Sequence, residues 1–406
     1  MNIFFFILIV ASSMQIAGYA LIDVILVGLF LFLISLQSSL KIRIDWVLVF
    51  CIYMIFQTFR GMYALEDIRM IYWILFFTVV YFSYQYLIEL QIQSKLDIEF
   101  VKKIFNYCRV YFVIYGLLPI LFVNPDDFQG IYWAGSSAAF IIVIPFLCSH
   151  FILFERSGYS LSALRFPSLL LYLAVTVIHY SRIGMYLLFI YFLYLGYKTV
   201  AFNVKKLFLV FSFFVISFFV LDITRNIYYI DAPAVGTTEI AQINSLIDDD
   251  ASIEEIESDL NRFLMTISVY EKFISSPKEF LIGSGWYTSR FTLKPYEQEV
   301  FNRYGLDSKH IANNKPMQVT SFASIVSDTG VIGLLFLFYF FIKSTIQILQ
   351  SGSKEKSLLI GFLFINWLFY LIGNSFISII GFLLIFPSGI IVSLSRVKSL
   401  HEAKNN

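Results

Sequence analysis

Three side chains in this chain have the type and the setting to take part in chemistry: Arg182, Arg262 and His310. Arg182 stands between two apolar runs with almost no polar loop around it. An arginine there is costly unless its guanidinium extends to the membrane interface or meets an anion, and the residues alone leave both explanations open. His310 is the only histidine in a long polar segment, where it could act as a base or be a solvated loop residue.

The sequence supplies no metal site and no nucleotide-binding motif to accompany these residues. It has no His-x-x-x-His pair, its three cysteines lie singly in apolar runs, and the acidic run 248–250 lacks the ligand pattern of a calcium loop. It also has no Walker motif, no dinucleotide glycine motif and no nucleophile elbow. Candidate chemistry must therefore use arginine, histidine, carboxylates and a substrate's own phosphate, and we expect no metal and no cofactor.

The elements that position these residues follow from composition. Of 406 residues, 59% are hydrophobic and only 14% are charged, whereas a soluble protein carries about a quarter charged residues. We therefore predict an all-α polytopic membrane protein with about 12 transmembrane helices, because crossing about 30 Å of hydrocarbon takes about 20 apolar residues per helix. The predicted spans cover residues 3–17, 20–36, 45–59, 70–88, 104–123, 132–154, 166–180, 183–200, 206–222, 319–343, 357–374 and 376–394.

Basic residues predict the orientation of these spans. With a cytoplasmic N-terminus, 16 basic residues fall at cytoplasmic ends, and only Arg60, Arg69 and Arg182 fall in short outer loops. This bias places both termini in the cytoplasm and the polar segment 224–317 outside. Arg60 and Arg69 flank the acidic pair at 66–67, so we expect both of them to pair locally.

The chain divides into three parts on this basis. Residues 1–223 form nine spans, 224–317 form the outer polar segment, and 318–406 form three further spans and a cytoplasmic tail.

The polar segment contains a predicted amphipathic helix. Apolar residues recur every three or four positions from Ile253 to Phe273, including Tyr270. Ser252 and Glu255 are typical of a capping box, and the Ser-Pro pair at 276–277 should end the helix. Arg262 lies beside the apolar stripe. We expect this helix to cover the outer membrane surface or the bundle as a lid.

Four stretches share one pattern in order, spacing and predicted sidedness. They are Gly130-Ile131-Tyr132-Trp133 with the following residues to Pro145, then Ser181-Arg182-Ile183-Gly184, then Arg262 followed by Ser276-Pro277 and Ile282-Gly283-Ser284-Gly285, and finally Ser327-Asp328-Thr329-Gly330-Val331-Ile332-Gly333. Together they resemble the O-antigen ligase and polymerase superfamily of bacterial envelope glycan assembly. The chain departs from the family pattern at 318–320, where that family usually has a His-Asn pair. The resemblance then implies that His310 takes the role of the family's histidine. Arg225 and Gly236 also have a spacing found in some polymerases of this type.

The resemblance implies a glycosyltransferase at the outer face of the bacterial inner (plasma) membrane. Its donor would be a glycan on undecaprenyl pyrophosphate. Arg182, Arg262 and Arg225 would bind the pyrophosphate, because a guanidinium donates two parallel hydrogen bonds and keeps its charge. The first two would stabilise the leaving group, and His310 would take the acceptor's proton.

Other assignments stay open. The base could instead be a carboxylate such as Asp328 or Glu297. Expected partners are a lipid-linked donor and acceptor, membrane lipid, a chain-length regulator and a flippase, with no nucleic acid. The acceptor would be another repeat unit in a polymerase or lipid A core in a ligase, and the 46 Phe and 26 Tyr favour a polymerase by analogy. A flippase or other transporter is a third reading, although we find no convincing internal repeat.

Overall fold

A computed structural model describes residues 42–92, 97–111, 137–158, 182–199, 257–303, 321–351 and 354–372, with a few shorter pieces. The helices in these residues are α1 (Trp46–Leu65), α2 (Ile71–Ile92), α3 (Ile98–Tyr111), α4 (Ser137–Arg156), α5 (Arg182–Thr199), α6 (Glu257–Ser275), α7 (Pro277–Ile282), α8 (Ser289–Thr292), α9 (Lys294–Arg303), α10 (Ser321–Leu349) and α11 (Lys356–Ile372). The described chain is thus helical, as predicted. A two-residue antiparallel pair, β1 (Gln15–Ile16) with β2 (Tyr19–Ala20), is an exception to the predicted all-α class.

Helix α1 has an acidic residue at each end. Asp45 accepts a hydrogen bond from the amide of Leu48 at 2.9 Å and so caps the first turn. The helix continues past the predicted end at residue 59 and stops at Glu66, whose φ of 52° is left-handed. Asp67 then caps a short 3₁₀ turn (Ile68–Met70) that leads into α2.

Two of the described helices are long and apolar enough to cross a membrane, namely α1 and the stretch Phe322–Leu349 of α10. They indicate a membrane protein. Helix α1 packs against α2 and α10, and α10 packs against α11. Aromatic pairs fill these contacts, for example the rings of Trp46 and Tyr339 at 4.5 Å and those of Phe341 and Trp367 at 5.3 Å between centroids.

A second pairing of helices joins α3 to α4. The predicted span 104–123 differs here, because α3 begins at Ile98 and exposes Lys102, which pairs with Glu99 at 2.6 Å. Its other face is apolar and buried, and Phe105 stacks on Phe146 of α4 at 5.0 Å. Helix α3 is therefore amphipathic over its described length.

Helix α10 is broken at Gly330, where φ is 66° and ψ is −170°. These angles are not helical and lie where glycine is favoured. The break frees the carbonyl of Thr329, which accepts a hydrogen bond from the hydroxyl of Tyr53 in α1 at 2.5 Å. The kink is thus fixed by a side chain from a neighbouring helix.

The polar segment is folded where the structure describes it. The predicted amphipathic helix appears as α6 and ends at Ser275, directly before the Ser-Pro pair, as predicted. The proposed capping box at 252–255 lies outside the described residues. Among the described side chains of α6, Val269 is buried and packs with Leu293, Ala323 and Val326. Tyr270, which we placed on the apolar stripe, is 63% exposed, whereas Phe273 of the same stripe packs against this cluster, so the prediction of the buried face is correct only in part.

Candidate functional site where the polar segment meets a span

The four residues predicted to carry chemistry are only partly described. Arg182 is the first residue of α5 and Arg262 lies in α6, and the structure describes the backbone at both positions but not their side chains. Arg225 and His310 lie outside the described residues. Their roles in binding pyrophosphate and in proton transfer therefore stay predictions.

Two of the four family-like stretches meet main chain to main chain. The amide of Ser284 donates to the carbonyl of Ser327 at 2.9 Å, and the amide of Gly285 donates to the carbonyl of Asp328 at 3.0 Å. We call this contact between 282–289 and 324–330 the junction. The polar segment is joined to α10 there by backbone hydrogen bonds.

Glycines make this close approach feasible. Gly283 has φ of 68°, and a Cβ added there would overlap the carbonyl of Asp328. A Cβ at Gly330, with φ of 66°, would overlap the carbonyl of Leu281. Both positions require a residue without a side chain, because conformation and space each exclude a Cβ. The close backbone contact thus explains why glycine is needed at both of these family-like positions.

Asp328 organises the turn above it. The carboxylate is fully buried. One oxygen accepts from the amide of Ser289 at 2.6 Å, and the other accepts from the amide of Tyr287 at 2.9 Å and from the hydroxyl of Ser324 at 3.2 Å. Because its oxygens are used in this way, Asp328 acts here as a fixed acceptor for backbone amides, which disfavours it as the alternative general base.

Lys272 lies at the centre of the junction in a cage of hydroxyls. Lys272 is only 1% exposed. Its ammonium donates to the hydroxyls of Ser284 at 3.0 Å, Thr292 at 2.9 Å and Ser327 at 2.8 Å. The carboxylate of Glu279 lies 3.2 Å away.

Opposing effects act on the charge of this lysine. Burial lowers the pKa of Lys272, whereas the charges of Glu279 and Asp328 favour the ammonium form. The cage therefore satisfies a buried cation with three hydroxyls and one ion pair. Lys272 joins α6 to α7, α8 and α10, and it makes the polar segment and the span one folded unit.

Arg60 differs from its predicted role. It was expected to pair with the acidic residues at 66–67, and this was wrong. Its guanidinium instead donates to the carbonyls of Ile282 and Gly283 and to the side chain of Gln57, each at 2.8 Å. Those carbonyls lie at the end of α7 and have no helical partner of their own. The corresponding prediction for Arg69 is confirmed, since it pairs with Asp67 at 2.8 Å.

Gln57 and Trp286 complete the attachment to the bundle. The side chain of Gln57 donates to the carbonyl of Ile282, and its own carbonyl accepts from the amide of Trp286, both at 2.8 Å. The indole of Trp286 is 3% exposed and lies 5.6 Å from the rings of Trp73 and Phe77. A residue of the polar segment is therefore part of the main hydrophobic core.

Glu297 is the second carboxylate that was named as an alternative base. It lies between Leu293 and Val300 on the buried face of α9 and is 3% exposed. One of its oxygens has no hydrogen-bond partner among the residues that the structure describes. Burial raises the pKa of Glu297 to about 7, although the nearby charge of Lys294 acts in the opposite direction. Its protonation can change near neutral pH, which is the property that a general base needs.

Sequence reasoning missed Lys272 and the role of Arg60. A signal was present for the first, since Lys272 follows Val269 by three positions and lies on the buried face of α6. A charged residue on such a face requires a partner. For Arg60 no local signal existed, because its acceptors are 222 and 223 residues away in sequence.

The described residues contain no group of three or more His, Cys, Asp or Glu side chains that could hold a metal ion. Comparisons with protein-family models, with curated proteins and with solved structures gave no match. The geometry of the junction indicates a structural role for it. The junction can hold the glycine-rich turn rigidly against α10. It would thereby fix the position of the polar segment relative to the span.

Proposed function

We propose that this protein is a polymerase of polysaccharide repeat units, such as those of O-antigen. It would transfer a growing glycan from undecaprenyl pyrophosphate to an acceptor repeat unit at the outer face of the bacterial inner membrane. The proposal includes the finer topology, with about twelve spans, both termini in the cytoplasm and residues 224–317 outside. Its support is the asymmetry of basic residues along the sequence.

The observation that carries the proposal is the junction. Two stretches that resemble the family at separate places in the sequence, 282–285 and 327–330, are hydrogen bonded to each other. The resemblance depends on residue types alone and does not require that the two stretches touch. A shared pattern whose parts form one structural unit is better support than isolated short motifs, each of which could arise by chance.

The proposed chemistry is a direct displacement. The oxygen of the acceptor hydroxyl attacks the anomeric carbon, the bond from that carbon to the pyrophosphate oxygen breaks, and the hydroxyl proton passes to His310. The pyrophosphate leaves on undecaprenol with added negative charge, which Arg182 and Arg262 stabilise, with Arg225 as a further contact. The sugar carbon is inverted.

A deletion strain tests this function. Loss of a polymerase should leave surface lipopolysaccharide with a single repeat unit on the core. Loss of a ligase or of a flippase should leave core without any repeat unit. Extraction of lipid-linked glycan then distinguishes loss of the ligase from loss of the flippase. A strain that lacks only the ligase accumulates polymer on undecaprenyl pyrophosphate. An unchanged ladder of chain lengths would refute all three functions.

A further inference from the structure

We propose that residues 280–286, comprising the end of α7 and the glycine-rich turn after it, are inserted into the bilayer, with Phe280 and Leu281 against lipid acyl chains. We call these residues the wedge. This differs from a lid that lies on the membrane surface. The inference depends on the membrane placement of α1 and does not depend on glycosyl transfer.

The depth of the wedge follows from its contacts with α1. An apolar stripe runs along the exposed face of α1 and consists of Trp46, Val49, Ile52, Phe56, Phe59 and Tyr63. It is about 25 Å long at 1.5 Å per residue, close to the thickness of the hydrocarbon layer of about 30 Å. The stripe therefore marks the part of α1 that faces lipid.

The wedge is attached inside the limits of this stripe. Trp286 and Ile282 bond to Gln57, and Gly283 bonds to Arg60. Counted along the helix, these two residues of α1 lie about 9 Å and about 5 Å before Tyr63. The hairpin tip beyond that point exposes Ile68 and Ile71 together with the charged pair of Arg69 and Asp67, so α1 has left the apolar layer there. The hydrogen bonds from the wedge to Gln57 and Arg60 therefore lie within the apolar layer, on the membrane side of the point where α1 leaves it.

The backbone of the wedge satisfies the condition for entering a membrane. Irregular chain at that depth is tolerated only where protein supplies the hydrogen bonds. Every amide from 283 to 289 has a protein acceptor: the carbonyls of Glu279, Ser327, Asp328, Gln57 and Gly285, and the two oxygens of the Asp328 side chain. On the acceptor side, Arg60 and Gln57 donate to the carbonyls at the end of α7. A turn at an aqueous surface would not need so complete a set of partners.

The exposed side chains change character across the polar segment. At the end of α7, Phe280 is 42% exposed and Leu281 is 54% exposed. On α9 the exposed side chains of Glu299 and Arg303 are charged and pair with each other at 3.2 Å. Lys278, at the start of α7, is exposed as well. The end of α7 therefore exposes apolar side chains, whereas the start of α7 and α9 expose charged ones, which fits a boundary between lipid and water at this place.

Spin labels test this placement in the full-length protein reconstituted into phosphatidylcholine and phosphatidylglycerol vesicles. One label is attached at Leu281→Cys, a second at Phe280→Cys, and a matched aqueous reference at Glu299→Cys. The unmodified protein, with its buried Cys51, Cys108 and Cys148, gives the labelling blank to be subtracted. Relaxation of each label by molecular oxygen, which concentrates in lipid, is compared with relaxation by a water-soluble nickel chelate.

The expected result is high oxygen and low chelate accessibility at 280 and 281, with the reverse at 299. The proposal is overturned if the chelate reaches 281 as readily as 299, since the wedge would then lie in water. It is equally overturned if neither reagent reaches 280 or 281. Protein would then cover them, either a second copy or another part of this chain. Because two labelled positions are used, failure of one variant to fold does not remove the test.

Discussion

The guanidinium of Arg60 in α1 holds the carbonyl of Gly283, 223 residues later in the chain, at 2.8 Å. A second nitrogen of the same side chain holds the carbonyl of Ile282. This pair connects the first described span to the polar segment. The attachment uses the planar fork of arginine, which presents several donors in fixed directions.

Arg60→Lys should weaken the junction although it keeps the charge. One ammonium cannot reproduce the three donor contacts, and hydrogen bonds to charged groups contribute about 1.5–3 kcal/mol each. We expect a loss of about 1–3 kcal/mol in stability, measured as a lower thermal midpoint in detergent. Arg69→Lys is the matched control. Its ion pair with Asp67 is exposed, so its effect should be within about 1 kcal/mol. Equal effects of the two substitutions would argue against a special role for Arg60.

Gly283→Ala and Gly330→Ala should each disrupt the junction strongly. The added methyl would overlap the carbonyl of Asp328 or of Leu281, at a backbone conformation that alanine also disfavours. We expect losses of at least about 2 kcal/mol and a fall in the amount of folded protein. Gly361→Ala in α11 is the control, because nothing lies within 4 Å of its added Cβ. That change should be neutral or stabilise the helix by about 0.5–1 kcal/mol.

Lys272→Met removes the cation from the hydroxyl cage. The methionine fills similar space but leaves Asp328 buried without the positive charge nearby and Glu279 without its partner. Losing one member of a buried charge pair costs about 3–5 kcal/mol. Lys278→Met changes an exposed lysine six positions later and should have little effect. Thermal unfolding and protein yield in membranes measure both. A stable Lys272→Met variant would show that the hydroxyls of the cage do not need the ammonium.

Glu297 should make stability depend on pH. Its pKa in the folded protein is raised to about 7 from an ordinary value of 4.5, so the folded state binds its proton more tightly than the unfolded state. The sign is therefore that the contribution of Glu297 to stability is fully present below pH 4.5, falls as pH rises from about 4.5 to about 7, and is absent above that range. The total loss is up to about 3 kcal/mol.

Glu297→Gln should remove the part of this slope that lies closest to pH 7, because an amide does not ionise. Glu299→Gln, on the exposed face of the same helix, is the control and should keep it. Unfolding midpoints in detergent between pH 5 and pH 8 give the comparison. If the slope of the wild-type protein survives in Glu297→Gln, another group is responsible for it.

Much of the fold can be predicted from sequence because apolar runs and breakers are local signals. The positions of α1, α2 and α10 follow from hydrophobic length, and the end of α6 follows from the proline at 277. The junction cannot be predicted in this way. Its contacts join residues far apart in sequence, such as Ser289 with Asp328, 39 positions apart, and Gln57 with Ile282, 225 positions apart, and no local pattern records which carbonyl an arginine will reach. Gly283 and Gly330 are a partial signal in the sequence. A glycine indicates that another backbone segment can approach closely, but it does not indicate which segment.

Arg182→Ala and Arg262→Ala test the proposed catalysis. Each should abolish long glycan chains while the protein remains in the membrane at a normal level, because the leaving pyrophosphate loses a charged donor in the transition state. Removal of one such donor costs roughly a hundredfold to a thousandfold in rate. Lysine at the same positions keeps the charge without the bidentate geometry and should restore activity only in part. The measurement is the ladder of surface polysaccharide in a deletion strain that carries each variant, with His310→Ala included as a test of the base. A full-length ladder with Arg182→Ala would disprove its role at the pyrophosphate, and full activity with His310→Ala would move the base elsewhere, with Glu297 then the next residue to replace.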